Sequence, residues 1–489
     1  MGIFAAIVLE WVISPLALLV ALLLLAVVVV GLVVSSTRTL SAAKGLTSLT
    51  GFTKLSLWVV VGLAVLFVSG TLVSLGGAAV LCNGWPLCAP QNALGWLALL
   101  HRAAVGLAGL LIALQFARAW QTQRSQAGVL TSATAAAVLF VSQALLGRGL
   151  THDTVPYYLT GLHVATSAAV WVTAVLTLTL SARAQRSAEE EAAEAREFAA
   201  RKPLRMLADL LLLTKPIVVA LLLVTTYAGM VIGARAFPAW DVTLWTLLGG
   251  FLAAGGSGAI NQYIDRNDDG KMQRTQKRPI PAGRMQPAEG LAFGVGIGLL
   301  SFYLLTAWVN FLAALLSLAG IFYYVVLYSL LLKKTTVQNI VIGGGAGALP
   351  PLVGWAAATG SLTFPSLLLF AVVFMWTPPH FWALAIVRKH DYARAGVPML
   401  PVVRGELETR WQVFLYTLEL VALTLLLPLF GLGQSIYLIA AGILGLWLIG
   451  AAYRVWKGEG NKVAWKMYRY SSMYLAFLFV ALMIDRLVL

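Results

Sequence analysis

Long apolar runs alternate with short polar segments along almost the whole chain. Runs centred on roughly 12–34, 55–79, 94–118, 128–147 and 158–182 precede a charged stretch. Runs at roughly 208–233, 242–260, 289–309, 311–332, 338–357, 365–387, 411–430, 435–455 and 467–487 follow it. Each is long enough to cross a hydrocarbon core about 30 Å thick as a helix, where a backbone must satisfy its own hydrogen bonds. The pattern predicts an all-α polytopic membrane protein with about 14 transmembrane helices, five before the charged stretch and nine after it.

Composition agrees. Of the 489 residues, 60% are hydrophobic and 11% charged, against about 25% charged in soluble domains. Glycine is abundant, at 45 residues, as helix contacts in lipid favour. The net charge of +15 does not point to nucleic acid, because the Lys and Arg residues sit in short loops between apolar runs. The first run lacks a basic leader and is too long for the core of a secretory signal, so it reads as a membrane helix.

The stretch from Arg183 to Arg205 carries Glu189, Glu190, Glu191, Glu194, Arg196, Glu197, Arg201 and Lys202 among alanines. It reads as a solvated helical linker. The predicted organisation is therefore a membrane domain over 1–182, a charged cytoplasmic linker over 183–204 and a second membrane domain over 205–489. Counting basic residues orients the helices. Arg38, Lys44, Lys54, Arg118, Arg124, the charged stretch and the segments 261–288, 333–337, 388–410 and 454–466 fall on one side, expected to be cytoplasmic. Both termini then face outward.

Chemistry concentrates in one of those segments. Asn261, Asp265 and Asp269 are spaced i, i+4, i+8 at the end of an apolar run. If the helix continues, they share a face, and oxygen donors of this kind suit Mg²⁺, which binds through a few carboxylates plus substrate phosphates. Asp268 breaks the spacing and is expected to point away. Lys271, Arg274, Lys277, Arg278 and Arg284 follow. Carboxylates succeeded by cations fit a metal-bridged diphosphate. A plain basic loop would explain the cations but not the three donors. Other segments on that side supply Tyr324, Tyr328, Lys333, Lys334 and Asn339, then Trp376, His380 and Trp382, then Arg388, Lys389, Asp391 and Tyr392. A histidine inside the membrane, such as His380, is a functional candidate by default, although a neighbouring carbonyl could equally satisfy it.

Residues about 205–489 resemble the UbiA-type intramembrane prenyltransferases, in their protohaem IX farnesyltransferase (haem O synthase) branch. The resemblance rests on Asn261-x₃-Asp265-x₃-Asp269-x₂-Met272-x-Arg274-Thr275-x₂-Arg278-Pro279, Thr336-x₂-Asn339-Ile-Val-Ile-Gly-Gly, Trp376-Thr-Pro-Pro-His380-Phe-Trp-Ala-Leu-Ala and Asp391-Tyr-x₂-Ala-Gly-Val-Pro-Met-Leu-Pro-Val. It implies nine helices and Mg²⁺ held by Asn261, Asp265 and Asp269. Arg274, Lys277, Arg278, His380 and Asp391 would join the catalytic machinery. Lys271, Tyr324, Tyr328, Lys334, Asn339, Trp382, Arg388, Lys389 and Tyr392 would bind substrate. The implied reaction transfers farnesyl from farnesyl diphosphate to a vinyl group of protohaem IX, with both apolar substrates reaching the site through membrane lipid. Many family members carry a second aspartate pair. Here Ala395 stands four residues after Asp391, which leaves the number of Mg²⁺ ions open. A quinone precursor as acceptor, or a non-catalytic role as haem carrier or oxidase assembly factor, are the competing readings.

In the first half, His101 and His163 lie about seven and five residues into helices entered from the outer side, so their depths agree within roughly 3 Å. Two such imidazoles can ligate a haem iron from opposite faces; two unrelated interfacial histidines are the plain alternative. Cys82 and Cys88 fall in the outer loop before His101, where a disulfide, a free pair or a redox-active pair are all compatible. Residues about 55–182 resemble one four-helix half of haem A synthase, on Ser69-Gly-Thr-Leu-Val, Cys82-x₂-Trp85-Pro-Leu-Cys88, His101-Arg102, Gln143-Ala-Leu-Leu-Gly and Leu162-His163. The resemblance implies haem ligation by His101 and His163 and a Cys82–Cys88 disulfide. It fits haem binding, with a haem A synthase or cytochrome oxidase assembly factors as partners. The family's acidic residue three positions before the first histidine is here Ala98, which counts against full haem A synthase activity. The predicted location is the cell membrane.

Overall fold

A computed structural model describes residues 49–81, 86–149, 157–184, 186–458 and 460–489. The predicted helix at 12–34 and Cys82 lie outside them. Among the described residues the protein is built of helices, thirteen of them long and apolar enough to span a membrane. Nine follow the charged stretch, as the apolar runs predict, and four of the five predicted before it fall within the described residues.

The chain divides into two compact units. One comprises residues 1–206 with 286–296, the other 207–285 with 297–489. The first unit holds α1 (Gly51–Leu75), α2 (Ala93–Thr122), α3 (Ala127–Gly149) and α4 (Tyr157–Ala184). Here α1 packs on α2 and α4, and α3 packs on α4. Apolar side chains such as Trp58, Val65, Leu100 and Leu107 point outward, which suits lipid. The core is lined by small and hydroxylated residues that bond across helices, as Gln115 does to Ser56 and Thr177 to Ser132.

The charged stretch is helical, as its composition predicts, but it is not a detached linker. Helix α5 (Ala188–Ala199) opens with a Ser187–Glu190 capping box and is anchored to the end of α2. Glu194 accepts the backbone N–H groups of Arg124 and Ser125, and Glu191 accepts Gln123 Nε2. Arg124 is 1% exposed and reaches Glu197 at 3.3 Å and Glu289 at 3.7 Å. Alternating charge specifies a solvated helix face, but whether that face finds buried partners depends on residues 65 or more positions away.

In the second unit, the predicted helix at 208–233 is two. Helix α6 (Pro203–Leu213) ends at Thr214, and α7 (Pro216–Ala234) begins after Lys215. Pro216 lacks an N–H and crowds the residue before it, so an apolar run that looks continuous breaks there. The remaining long helices are α8 (Trp240–Ile264), α9 (Pro287–Trp308), α10 (Phe311–Leu332), α11 (Asn339–Thr359), α12 (Phe364–Val387), α13 (Gly405–Leu426), α14 (Ser435–Lys457) and α15 (Asn461–Val488). The last ten residues of α10, Tyr323–Leu332, wind as a π-helix, a geometry frequent at functional sites.

Helices α7 and α11 make the tightest crossing, possible only at glycine. A Cβ on Gly354 would lie 1.8 Å from the Thr226 carbonyl oxygen, and one on Gly229 would lie 2.2 Å from that of Pro351. Backbone cannot withdraw as a flexible side chain can. Gly354→Ala is therefore expected to destabilise by roughly 3 kcal/mol or more. Gly347→Ala, with nothing within 4 Å, should be neutral or mildly stabilising. Thermal unfolding of the two variants in detergent checks the contrast; equal midpoints would sink it.

Candidate functional site

The site of the second unit forms where α8 leaves the bundle. Its backbone ladder continues past the helix end: Asp265 N–H donates to the Asn261 carbonyl, and Asp269 N–H to that of Asp265, each at 2.9 Å. A short helix, Arg266–Asp269, follows. The i, i+4, i+8 spacing therefore keeps its meaning although the regular helix stops at Ile264. Asn261, Asp265 and Asp269 are all buried, at 3%, 2% and 1% exposed.

Each donor has a cationic partner. Lys215 Nζ donates to Asn261 Oδ1 at 2.6 Å. Lys333 pairs with Asp265 Oδ2, which also accepts Asn261 Nδ2 at 2.8 Å. Arg278 pairs with Asp269 Oδ2 at 2.6 Å. Asp265 Oδ1 is buried and has no hydrogen-bond partner, an orphan oxygen in a charged cleft. Among the described residues no three His, Cys, Asp or Glu side chains form a metal cage. A cation here would have two carboxylates and an amide from the protein, and phosphate oxygens would complete its shell. That donor set fits Mg²⁺, which seldom takes an all-protein cage.

Asp268 is buried and pairs with Lys334 and, at 3.6 Å, with Lys271. Burial alone would raise its carboxyl pKa, but the Lys334 hydrogen bond and the charges of Lys334, Lys271 and Lys333 prevail and lower it. Helix spacing turns Asp268 off the Asp265 face, but a turn of chain from another helix brings Lys334 to meet it.

Tyr324 and Tyr328 stack at 5.6 Å on the π-helix. Ser329 Oγ accepts Asn261 Nδ2 at 3.1 Å and donates to the Tyr324 carbonyl five residues back. Tyr328 lies within electrostatic reach of Asp265, Arg274 and Tyr392. Tyr392, whose pKa burial raises, in turn feels Arg274, Arg388 and Asp391. The Asn261–Arg278 segment and the Arg388–Tyr392 segment thus converge. Arg274 and Lys277 are exposed. Asn339 is buried, donates to the Thr336 carbonyl at 2.8 Å and leaves Oδ1 without a partner. Asp391 pairs with Arg394 and, at 3.9 Å, with Arg388, while Lys389 pairs with Glu406 at 3.4 Å.

His380 belongs to an aromatic cluster with α15. Its ring stacks on Trp376 at 4.1 Å and tilts against Tyr468 at 4.5 Å, and Nδ1 bonds Ser471 Oγ at 2.8 Å. Trp382, 3% exposed, meets Tyr416 edge-on and leaves its indole N–H without a partner. Both residues sit one helix removed from the acidic donors.

Sequence reasoning missed Lys215. It caps α7 in the left-handed region, at φ 55°, and its ammonium also meets Tyr324 OH at 3.3 Å. Burial lowers its pKa, the charges of Arg278 and Lys333 add to this, and Asp265 and Asp269 oppose it. The apolar pattern predicts one helix through Lys215 and Pro216, and a lone lysine within an apolar run reads as an ordinary flanking charge.

In the first unit, His101 Nδ1 bonds Ser69 Oγ at 2.9 Å, and His163 Nε2 bonds Gln143 Nε2 or its flipped oxygen at 3.0 Å. Gly70 and Gly147 lie against the two rings, where a Cβ would come to 3.1 and 3.4 Å. The rings are within electrostatic reach of one another, and His163 Nδ1 is buried without a partner. Cys88 is disulfide-bonded.

Two buried carboxylates and an amide ringed by cations, at the ends of apolar spans, mark a membrane protein with a site suited to a cation and an anionic group. The chain belongs to the UbiA prenyltransferase family, whose model matches residues 222–478, and is a prenyltransferase. The protoheme IX farnesyltransferase of Roseiflexus castenholzii is 41% identical over 438 residues, covering 86% of this chain and 81% of that one; so broad a match extends into the first unit. That of Gloeobacter violaceus is 49% identical over 278 residues, 57% of this chain and 91% of its own. A solved structure of digeranylgeranylglyceryl phosphate synthase shares the fold, with a TM-score of 0.50 at 18% identity over 58% of this chain and 99% of that one.

Proposed function

We propose that this chain transfers the farnesyl group of farnesyl diphosphate to a vinyl group of protohaem IX, giving haem O and diphosphate. The observation that carries the reading is the buried Asn261–Asp265–Asp269 donor set, with Asp265 Oδ1 open and three cations around it. The acceptor is read from the relatives named protoheme IX farnesyltransferase. Bound Mg²⁺ would neutralise the diphosphate and make it a better leaving group.

The protein's own groups do the rest. Lys215, Lys333 and Arg278 supply positive charge where negative charge develops as the allylic C–O bond breaks. Tyr324 and Tyr328 present an aromatic wall beside them, suited to the cationic allyl carbon. The vinyl group attacks that carbon to form the new C–C bond. Water then captures the resulting cation and loses a proton, leaving a hydroxyethylfarnesyl group. Low water access within the helices limits premature capture of the allyl cation. His380, Trp382, Asp391, Tyr392, Arg388 and Lys389 would line the acceptor side, facing the cytoplasm across the cell membrane. Incubation of purified protein with both substrates, with haem O and diphosphate measured together, tests the reading; diphosphate release without haem O would overturn the choice of acceptor.

The first unit would bind haem through His101 and His163. Ser69 on His101 supplies the orienting partner that a ligating imidazole normally has, and His163 keeps one nitrogen free. The purified protein is expected to show a low-spin haem spectrum that His101→Ala/His163→Ala abolishes while prenyl transfer persists. Equal haem content in the double variant would sink this assignment.

A further inference from the structure

Asn261 can bind a cation through one atom only. Its Nδ2 is committed to Asp265 Oδ2 at 2.8 Å and Ser329 Oγ at 3.1 Å, which fixes Oδ1 as the acceptor. That same Oδ1 is the atom Lys215 Nζ holds at 2.6 Å. Lys215 reaches it from a left-handed residue directly before proline, a conformation that a side chain and a following proline both disfavour. The surrounding fold must impose it, and such strain persists where a site uses it. Lys333 on Asp265 Oδ2 and Arg278 on Asp269 Oδ2 repeat the arrangement, so each of the three donor residues has one oxygen engaged by a cation, and Asp265 Oδ1 is left without a partner.

We propose that Lys215 is a partner-exchange residue, bonded to Asn261 Oδ1 until metal and diphosphate arrive together and then transferring its charge to the diphosphate. This rests on the metal–diphosphate reading of the site. A divalent cation that took Asn261 Oδ1 on its own would displace Lys215 and leave a partly buried ammonium beside it. Diphosphate alone finds the cations occupied and meets the carboxylates directly. Bound together, each ligand supplies what the other displaces, so the two couple positively, as reciprocal linkage requires. Lys333 and Arg278, with side chains 14% and 21% exposed, add to the effect, but each holds a carboxylate, which keeps a second oxygen for a metal, whereas Asn261 has only Oδ1 to offer. Lys215 has Tyr324 as its other neighbour, a weaker partner for an ammonium, so it should dominate the coupling.

The test uses the full chain in detergent and reads binding, not turnover. Mn²⁺ binding is followed by loss of the free-ion electron paramagnetic resonance signal, with and without farnesyl thiodiphosphate, whose C–S bond resists ionisation. In the wild type the analogue should tighten Mn²⁺ binding on the order of 100-fold. In Lys215→Met, Mn²⁺ alone should bind about tenfold tighter than in wild type, and the coupling should fall below about tenfold. Lys215→Arg should retain most of it. Lys215→Gln, which can still hydrogen-bond Asn261 without charge, should lose it, and so separates charge from folding should the methionine variant aggregate. Unchanged coupling in Lys215→Met, or in Lys215→Gln if the methionine variant cannot be purified, overturns the proposal and leaves the metal–diphosphate reading intact. No Mn²⁺ binding to wild type even with the analogue would instead overturn that reading.

Discussion

Asp265→Ala should lower prenyl transfer by about 10³-fold or more while leaving the protein folded. Asp265 stands at the junction of α8 and the Arg266–Asp269 turn, 2% exposed. One of its oxygens organises Asn261 and Lys333, and the other is open. In the proposed mechanism alanine would remove a metal donor and the anchor of a cation at once, and both losses would fall on the step in which diphosphate departs. Because the interactions strengthen as charge develops, the loss should appear in kcat as well as kcat/KM. Asp265→Asn keeps the shape but not the charge and should fall between the two. Haem O formation from protohaem and farnesyl diphosphate, beside circular dichroism of each variant, is the measurement. Turnover within tenfold of wild type in a folded Asp265→Ala protein would remove this cluster from the mechanism.

The cluster was legible because its spacing is local. Asn261, Asp265 and Asp269 are one helical turn apart, and the backbone ladder through them needs no distant partner. The long spans were legible for a similar reason, since a membrane sets their length and apolarity in any sequence. What escaped was set by tertiary partners or by subtle winding. The π-helix at Tyr323–Leu332 inserts its extra residue into an unbroken apolar run, where no polar marker registers the change of period. The break at Lys215 is a single dipeptide effect inside a run that hydropathy alone joins. Asp268 and Lys334 meet across more than sixty residues of chain, so no reading of local faces could pair them. The Arg183–Arg205 stretch shows the same limit from the other side: its helicity follows from alanine and alternating charge, but its role as an anchored element depends on Arg124 and Glu289, which nothing nearby announces.

Glu289 is where that hidden pairing should cost most. It opens α9 as an acid in the first turn, which in isolation is a routine dipole-matching choice worth under about 1 kcal/mol. In the fold it is 0% exposed, bonds Arg201 Nη1 at 2.6 Å, and lies 3.7 Å from Arg124 Nη1. Its second oxygen accepts the Gln286 N–H at 2.7 Å. Glu289→Ala would leave the buried Arg124 guanidinium with the Glu194 carbonyl at 3.1 Å and one paired carboxylate, Glu197, whose side chain is 58% exposed. Removing one member of a buried ion pair typically costs about 3–5 kcal/mol, mostly from the charge left behind. The expected result is a large fall in thermal midpoint, unaffected by salt because the pair is out of reach of counter-ions. Neutralising the exposed Glu190, which meets Arg186 at 3.8 Å, should change stability by about 1 kcal/mol or less and less still in high salt. The double variant Arg124→Met/Glu289→Met, which replaces both charges with apolar side chains of similar reach, should recover most of the loss. Recovery would show that the penalty lies in the stranded guanidinium. A double variant no more stable than Glu289→Ala would show instead that the carboxylate's bonds to Arg201 and the Gln286 N–H carry the effect.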